Sequence, residues 1–142
     1  MRVKRLPGSE DLPLPSQATS GAAGYDLYAA ADVHLFVGEA TPVPTGIAVE
    51  IPVMYVGLLV GRSGLAFKQG VTVAHVGTID SDFRGEIKVL MKSDETGYFI
   101  KRGERIAQLL VLQTAYWNCP VIEVDTFEKT ERGTAGFGST GR

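Results

Sequence analysis

The sequence predicts an all-β protein, an antiparallel β-barrel or sandwich with one short helix and a flexible C-terminal arm. Three observations carry that reading. Apolar residues alternate with period two in Val33, Leu35 and Val37, in Ile47, Val49 and Ile51, and in Ile87, Val89 and Met91, as half-buried strands require. Turn signals separate such runs at short intervals, at Val37-Gly38-Glu39, Pro44-Thr45-Gly46, Asp94-Glu95-Thr96-Gly97 and Lys101-Arg102-Gly103-Glu104. No segment sustains the apolar period of an amphipathic helix.

Taken in order, residues 7–24 are rich in Pro, Ser, Gly and Ala and read as a long arm or loop feeding the first core strand at Tyr25-Asp26-Leu27. The one helix begins near Ser63, a good N-cap, runs through Leu65-Ala66-Phe67-Lys68 and ends at Gly70. The last eleven residues, Arg132 to Arg142, hold four glycines and almost no apolar surface apart from Phe137, so they cannot hold themselves in a core. The expected division is therefore a β-barrel core over residues 1–131 and a flexible glycine-rich arm over 132–142, with no linker that would split the chain.

Composition excludes several classes. At 142 residues the chain fits one domain with a real core, and its 17 glycines exceed the roughly 10 that average usage predicts. A lone Cys119 cannot close an intramolecular disulfide or build a structural zinc site by itself. Met1-Arg2-Val3-Lys4-Arg5 carries charge without an apolar stretch behind it, and the longest apolar run, Val53 to Val60, is far too short to span a bilayer. A cytoplasmic protein, or one intracellular in a host if viral, with no membrane partner is expected. With 14 basic and 16 acidic residues and no long run of one sign, no nucleic-acid partner is expected either, although a local cluster could still bind a small anion.

Three segments carry chemistry. Gly136-Phe137-Gly138-Ser139-Thr140-Gly141 satisfies G-x-G-x-x-G, but the dinucleotide reading needs a helix after the motif, and one residue follows Gly141. The segment is either a frayed terminus or an arm whose backbone N–H groups, with Ser139, Thr140 and Arg132, close on an anion. Gly61-Arg62-Ser63-Gly64-Leu65 is either an ordinary helix cap beside a surface arginine or a phosphate site at a helix N-terminus. Gly77-Thr78-Ile79-Asp80-Ser81-Asp82-Phe83-Arg84-Gly85-Glu86 reads as a hairpin, with its aspartates either turn formers or a base.

Together with Ala22-Ala23-Gly24-Tyr25-Asp26-Leu27 and Gly103-Glu104-Arg105-Ile106-Ala107-Gln108-Leu109, these segments and Arg132-Gly133-Thr134-Ala135 resemble the five ordered motifs of the trimeric deoxyuridine triphosphatase family. The resemblance covers nearly the whole chain. It implies a homotrimeric jelly roll that hydrolyses dUTP to dUMP and pyrophosphate with Mg²⁺, limiting uracil in DNA and supplying dUMP for dTMP synthesis. Asp80 matches the catalytic carboxylate that activates the water attacking the α-phosphorus. Asp26 matches the position that holds Mg²⁺ through water. Arg62, Ser63, Gly64 and Gln108 match phosphate contacts, Arg132, Gly138, Ser139 and Thr140 those of the tail, and Phe137 the ring that stacks over uracil. Gly77, Thr78 and Ile79 fall in the segment that recognises base and sugar. Each site is implied to draw on three subunits.

Three positions depart from the family pattern. Phe83 stands where a tyrosine usually packs beneath the deoxyribose, so a phenolic hydrogen bond is lost. Ala74 stands where many bacterial members carry an asparagine that reads uracil, which shifts base selection to main-chain groups of the 74–79 hairpin. Ala135 replaces a tail glycine, which matters only where φ must be positive. His75 reads as a structural or rim residue, and Trp117 and Cys119 as packing at the sheet or a subunit contact. A related trimeric branch deaminates dCTP, against which the glycine-rich lid counts, and a nucleotide-gated interaction protein is the non-catalytic alternative.

Overall fold

The computed structural model describes residues 1–94, 96–115 and 119–135. Ten strands and one helix follow in order: β1 (Arg2–Arg5), β2 (Tyr25–Tyr28), β3 (Val33–Leu35), β4 (Thr41–Glu50), β5 (Tyr55–Gly61), α1 (Ser63–Gln69), β6 (Val71–Val73), β7 (Gly77–Ile79), β8 (Glu86–Ser93), β9 (Tyr98–Ile100) and β10 (Arg105–Gln113). They form two four-stranded antiparallel sheets, β1-β4-β8-β6 and β2-β10-β5-β7, and a two-stranded sheet β3-β9. Val43, Ile47 and Val49 of β4 and Ile87, Val89 and Met91 of β8 form one core with Leu27, Leu59, Ile106 and Leu109 of the other sheet. Each such side chain contributes about 1.5–3 kcal/mol by leaving water.

The all-β expectation holds, with local corrections. Pro44-Thr45-Gly46 is not a turn between strands but lies inside β4, where the register with β8 shifts between Pro44 and Ala48. Gly46 adopts φ +66°, its N–H donates to Glu86 Oε1 at 3.0 Å, and the Thr45 hydroxyl donates to the Ile87 carbonyl at 2.6 Å. Side-chain partners thus hold a bulge that lets the strand continue. Val37 lies beyond β3 and is exposed, so the alternation ends at Leu35. Helix α1 runs as expected to a left-handed Gly70, but its N-cap is Arg62, with no side-chain capping bond, and Ser63 is its first residue.

Neither 74–79 nor 77–86 is a hairpin. β6 pairs with β8, whereas β7 pairs with β5 in the opposite sheet, so the chain crosses between sheets before and after β7. The 7–24 segment is a loop, as expected, and it is tied down. Arg102 grips both oxygens of Asp11 at 2.8 and 3.1 Å and the Gly8 carbonyl at 2.7 Å, Arg5 donates to the Leu12 carbonyl, and the Asp26 N–H donates to the Ser16 carbonyl at 2.9 Å. Among the described residues no helix is long and apolar enough to cross a membrane.

Candidate active site

Sheet register builds the first half of the site. Asp26 on β2 lies opposite Gln108 on β10, which lies opposite Val60 on β5, two residues before Arg62. The Asp26 side chain is only 5% exposed. Gln108 Nε2 donates to its Oδ1 at 3.1 Å, Arg105 Nη1 to its Oδ2 at 3.2 Å, and Arg62 Nε stands 3.8 Å from Oδ1. Arg62 is braced by its own Nη1, which donates to the Arg105 carbonyl at 2.9 Å. A buried carboxylate needs such partners, because taking an ion out of water costs several kcal/mol unless it is paired. Beside it, Ser63 and Gly64 begin α1, where backbone N–H groups have no intrahelical acceptor. A β-carbon on Gly64 would meet no atom within 4 Å, so the chain's own packing does not demand glycine there. Gly24 is different: a β-carbon there would lie 3.1 Å from Gln108 Cβ.

The second half lies at the other end of β5. Ile79 of β7 pairs with Gly57, which puts Asp80 in a cleft with Tyr55, Val56, Ser81, Asp82 and Thr114. Asp80 is exposed, and its carboxylate makes no hydrogen bond or ion pair among the described residues. Its turn is held from behind: Phe83 N–H donates to the Asp80 carbonyl at 3.2 Å, and Arg84 Nη1 donates to the carbonyls of Ser81 and Phe83 at 2.7 and 2.8 Å. The exposed Phe83 ring lies over Gly85, where a β-carbon would come within 2.6 Å of it. Ala74 donates its N–H to the Leu90 carbonyl at 2.8 Å, so that donor is committed within the fold. Gly77, Thr78 and Ile79 form β7, an edge strand whose outer side has no strand partner among the described residues.

One chain therefore does not unite the residues that the sequence singles out. About six residues of extended strand, roughly 20 Å, separate the Asp80 cleft from the Asp26–Arg62–Gln108 corner. Arg132 lies in an exposed segment and donates to the Ala135 carbonyl at 3.0 Å. Ala135 does not have positive φ. Phe137, Gly138, Ser139 and Thr140, like Trp117, lie outside the described residues. His75 and Cys119 are exposed, so neither packs in this chain's core.

Arg105 is the residue that sequence reasoning missed. Strict alternation along β10 puts Arg105 and Gln108 on opposite faces. A register shift between Arg105 and Ala107 adds one residue against β2, consecutive Ile106 and Ala107 are both buried, and Arg105 and Gln108 meet on one carboxylate.

Fold and site define a class: a double-sheet all-β protein with a guanidinium corner on one sheet and, at the far end of the same sheet, a carboxylate without a partner among the described residues. The dUTPase family model matches residues 10–141. The deoxyuridine 5'-triphosphate nucleotidohydrolase of Methylocella silvestris is 49% identical over 145 residues, spanning 98% of this chain and 89% of that protein. That of Caldanaerobacter subterraneus is 43% identical over 99% of this chain and 97% of its own length. Among solved structures, the Staphylococcus bacteriophage 80alpha dUTPase with dUPNHPP superposes with a TM-score of 0.87 at 31% identity, over 99% of this chain and 98% of the other. A variant of the phage phi11 dUTPase, 27% identical with a TM-score of 0.79 over 90% of this chain and 98% of its own, coordinates a structural Mg(II) ion. The chain belongs to the dUTPase family.

Proposed function

We propose that the protein hydrolyses dUTP to dUMP and pyrophosphate at sites shared between the subunits of a homotrimer. The observation that carries this reading is the division of labour along β5, with a carboxylate that has no partner among the described residues at one end and anion-receptive groups at the other, too far apart to serve one substrate within one chain. Apposed across a subunit boundary, Arg62, the Ser63 and Gly64 backbone and Gln108 hold the phosphates, while Gly77 to Ile79 face the base. Phe83 lies under the sugar, where its ring excludes a 2′-OH by shape. Asp80 takes a proton from water as the water oxygen bonds to the α-phosphorus. The bond from that phosphorus to the bridging oxygen breaks, and pyrophosphate leaves with the electron pair. The apolar side chains of Val121, Ile122 and Phe127 stand out in solvent on the segment that leads to Arg132, which supports packing on another copy. That route carries the lid, residues 132–142, to a neighbouring site, where Arg132, Phe137, Gly138, Ser139 and Thr140 close over the nucleotide.

Among the described residues no three His, Cys, Asp or Glu side chains converge on a common point. The single carboxylate of Asp26, with lone pairs to spare beyond its two hydrogen bonds, fits a Mg²⁺ held mostly by water and phosphate oxygens. When bound, such an ion would offset phosphate charge.

Pyrophosphate release from dUTP, UTP, dCTP and dTTP tests the reading. Release from dUTP far above the others is expected, and Asp80→Ala should cut kcat by about 10²-fold or more while leaving dUPNHPP binding largely intact. Ammonia released from dCTP, binding without turnover, or an active Asp80→Ala protein would each overturn it.

A further inference from the structure

Arg105 lies outside the set of residues that the proposed reaction uses, yet it makes the direct bond to Asp26 Oδ2. Asp26 has three side-chain partners, two hydrogen-bond donors and the Arg62 guanidinium at ion-pair distance, and two of the three have other work. Arg62 and Gln108 are the side chains that, on the reading above, turn to a triphosphate. Arg62 already stands off at 3.8 Å, with its Nη1 anchored on the Arg105 carbonyl. A polyanion that draws Arg62 and Gln108 away would leave a carboxylate, itself 5% exposed, beside further negative charge. Arg105 alone is free of that competition. It approaches from the other oxygen, its backbone is set by the β10 bulge, and at 47% exposure it needs no desolvation to keep its charge.

We infer that Arg105 is a positioning residue: it holds the Asp26 carboxylate in place and electrically balanced while Arg62 and Gln108 engage the phosphates. The inference rests on the functional reading above. It does not require Arg105 to touch the nucleotide. Before a triphosphate binds, Asp26 also serves as a stand-in anion that keeps Arg62 and Gln108 aimed, and Arg105 is what remains when they leave.

A double-mutant cycle on the full-length protein separates this role from its rivals. Binding of dUPNHPP is measured by calorimetry across a Mg²⁺ titration for the wild type, Arg105→Gln, Asp26→Asn and the double variant. Loss of a group that orients a metal-side ligand weakens metal affinity by about tenfold to a hundredfold, so Arg105→Gln should raise by that factor the Mg²⁺ concentration that half-tightens analogue binding. In the Asp26→Asn background the same substitution should change the analogue affinity by no more than about twofold. Arg105→Lys should restore part of the loss. An equal loss in both backgrounds would make Arg105 a direct phosphate contact, and a lowered melting temperature with unchanged binding would make it a fold residue; either overturns the inference. Should Arg105→Gln fail to fold, the cycle is run with Arg105→Lys, for which a smaller loss that still depends on Asp26 is expected, and an additive cycle again overturns it. A wild type that neither binds the analogue nor cleaves dUTP overturns the functional reading as well, whereas one that does both alongside an additive cycle sinks the positioning role alone.

Discussion

Met54 holds φ at +72°, the one residue other than glycine with positive φ among those described. It sits third in the turn Pro52-Val53-Met54-Tyr55, closed by the Tyr55 N–H on the Pro52 carbonyl at 3.1 Å, where a glycine is favoured. Its carbonyl accepts from both the N–H and the hydroxyl of Thr114, at 2.7 and 3.0 Å, so the strand ends beside the Asp80 cleft fix the conformation. A left-handed residue with a β-carbon costs about 1–2 kcal/mol, and the extra unfolded-state freedom of glycine returns about 0.5–1 of that. Met54→Gly should therefore stabilise the protein by about 0.5–1 kcal/mol, read as a raised urea midpoint at unchanged slope; a lowered midpoint would mean that the Met54 side chain is held by contacts worth more than the strain. Nothing in Pro-Val-Met-Tyr marks this turn, because the signal that sequence reading relies on is the missing glycine. Asp26, Asp80 and Arg62 were legible only through the family motifs that contain them: taken singly, Arg62 reads as well as a surface arginine and Asp80 as a turn former.

Among the elements, β9 and β10 are joined by a turn whose one acid does three things. Glu104 accepts the Tyr98 hydroxyl at 2.6 Å on Oε1 and the Lys101 N–H at 3.2 Å on Oε2, while its carbonyl accepts the Ala29 N–H at 2.9 Å. The bond to Glu104, followed by burial and the Glu104 charge, pushes the Tyr98 phenol up to about 12 from its usual value near 10. Below the unfolded value Tyr98 is protonated in both states and the bond contributes in full. Above it the unfolded tyrosine ionises while the folded one keeps its proton, so stability is lost as pH rises toward the folded value. The stability gap between wild type and Tyr98→Phe should be constant up to about pH 9 and shrink by about pH 11, measured by urea unfolding at both. A gap that stays level would show that the hydroxyl is not bonded to a charged Glu104 in solution. The all-β class and the strands around Val33, Ile47 and Ile87 were legible, since period two needs only the order of apolar residues. The failures fell where one residue breaks the period. Gly46 looks like a turn but is absorbed as a bulge by Glu86 and Thr45, with Ser9 Oγ filling the place its β-carbon would take, and the β10 bulge hid Arg105 by reversing its face. Partners 37 to 79 residues away decide such positions, and spacing along the chain carries no trace of them.

For the whole molecule, the two half-sites make a quantitative prediction about assembly. If Asp80 of one subunit serves phosphates held by Arg62 of a neighbour, Asp80→Ala and Arg62→Ala chains are each inactive alone but complement each other when mixed. In a closed threefold ring every site joins one Asp80 donor to one Arg62 donor. With equal amounts of the two chains refolded together, a given site is intact when both donors are unmutated, a chance of one half twice over, so about a quarter of wild-type turnover should return. Half-sites within one chain predict no recovery at any ratio, because every chain carries one lesion. Sedimentation of the mixture distinguishes failure to assemble from failure to complement: a species of three chains without turnover refutes the shared site, whereas monomers refute the trimer itself. The exposed Val121, Ile122 and Phe127 supply the means of control, since placing Asp at all three should remove the apolar surface that the segment offers a neighbour, abolish the recovery and leave each chain's two-sheet core folded.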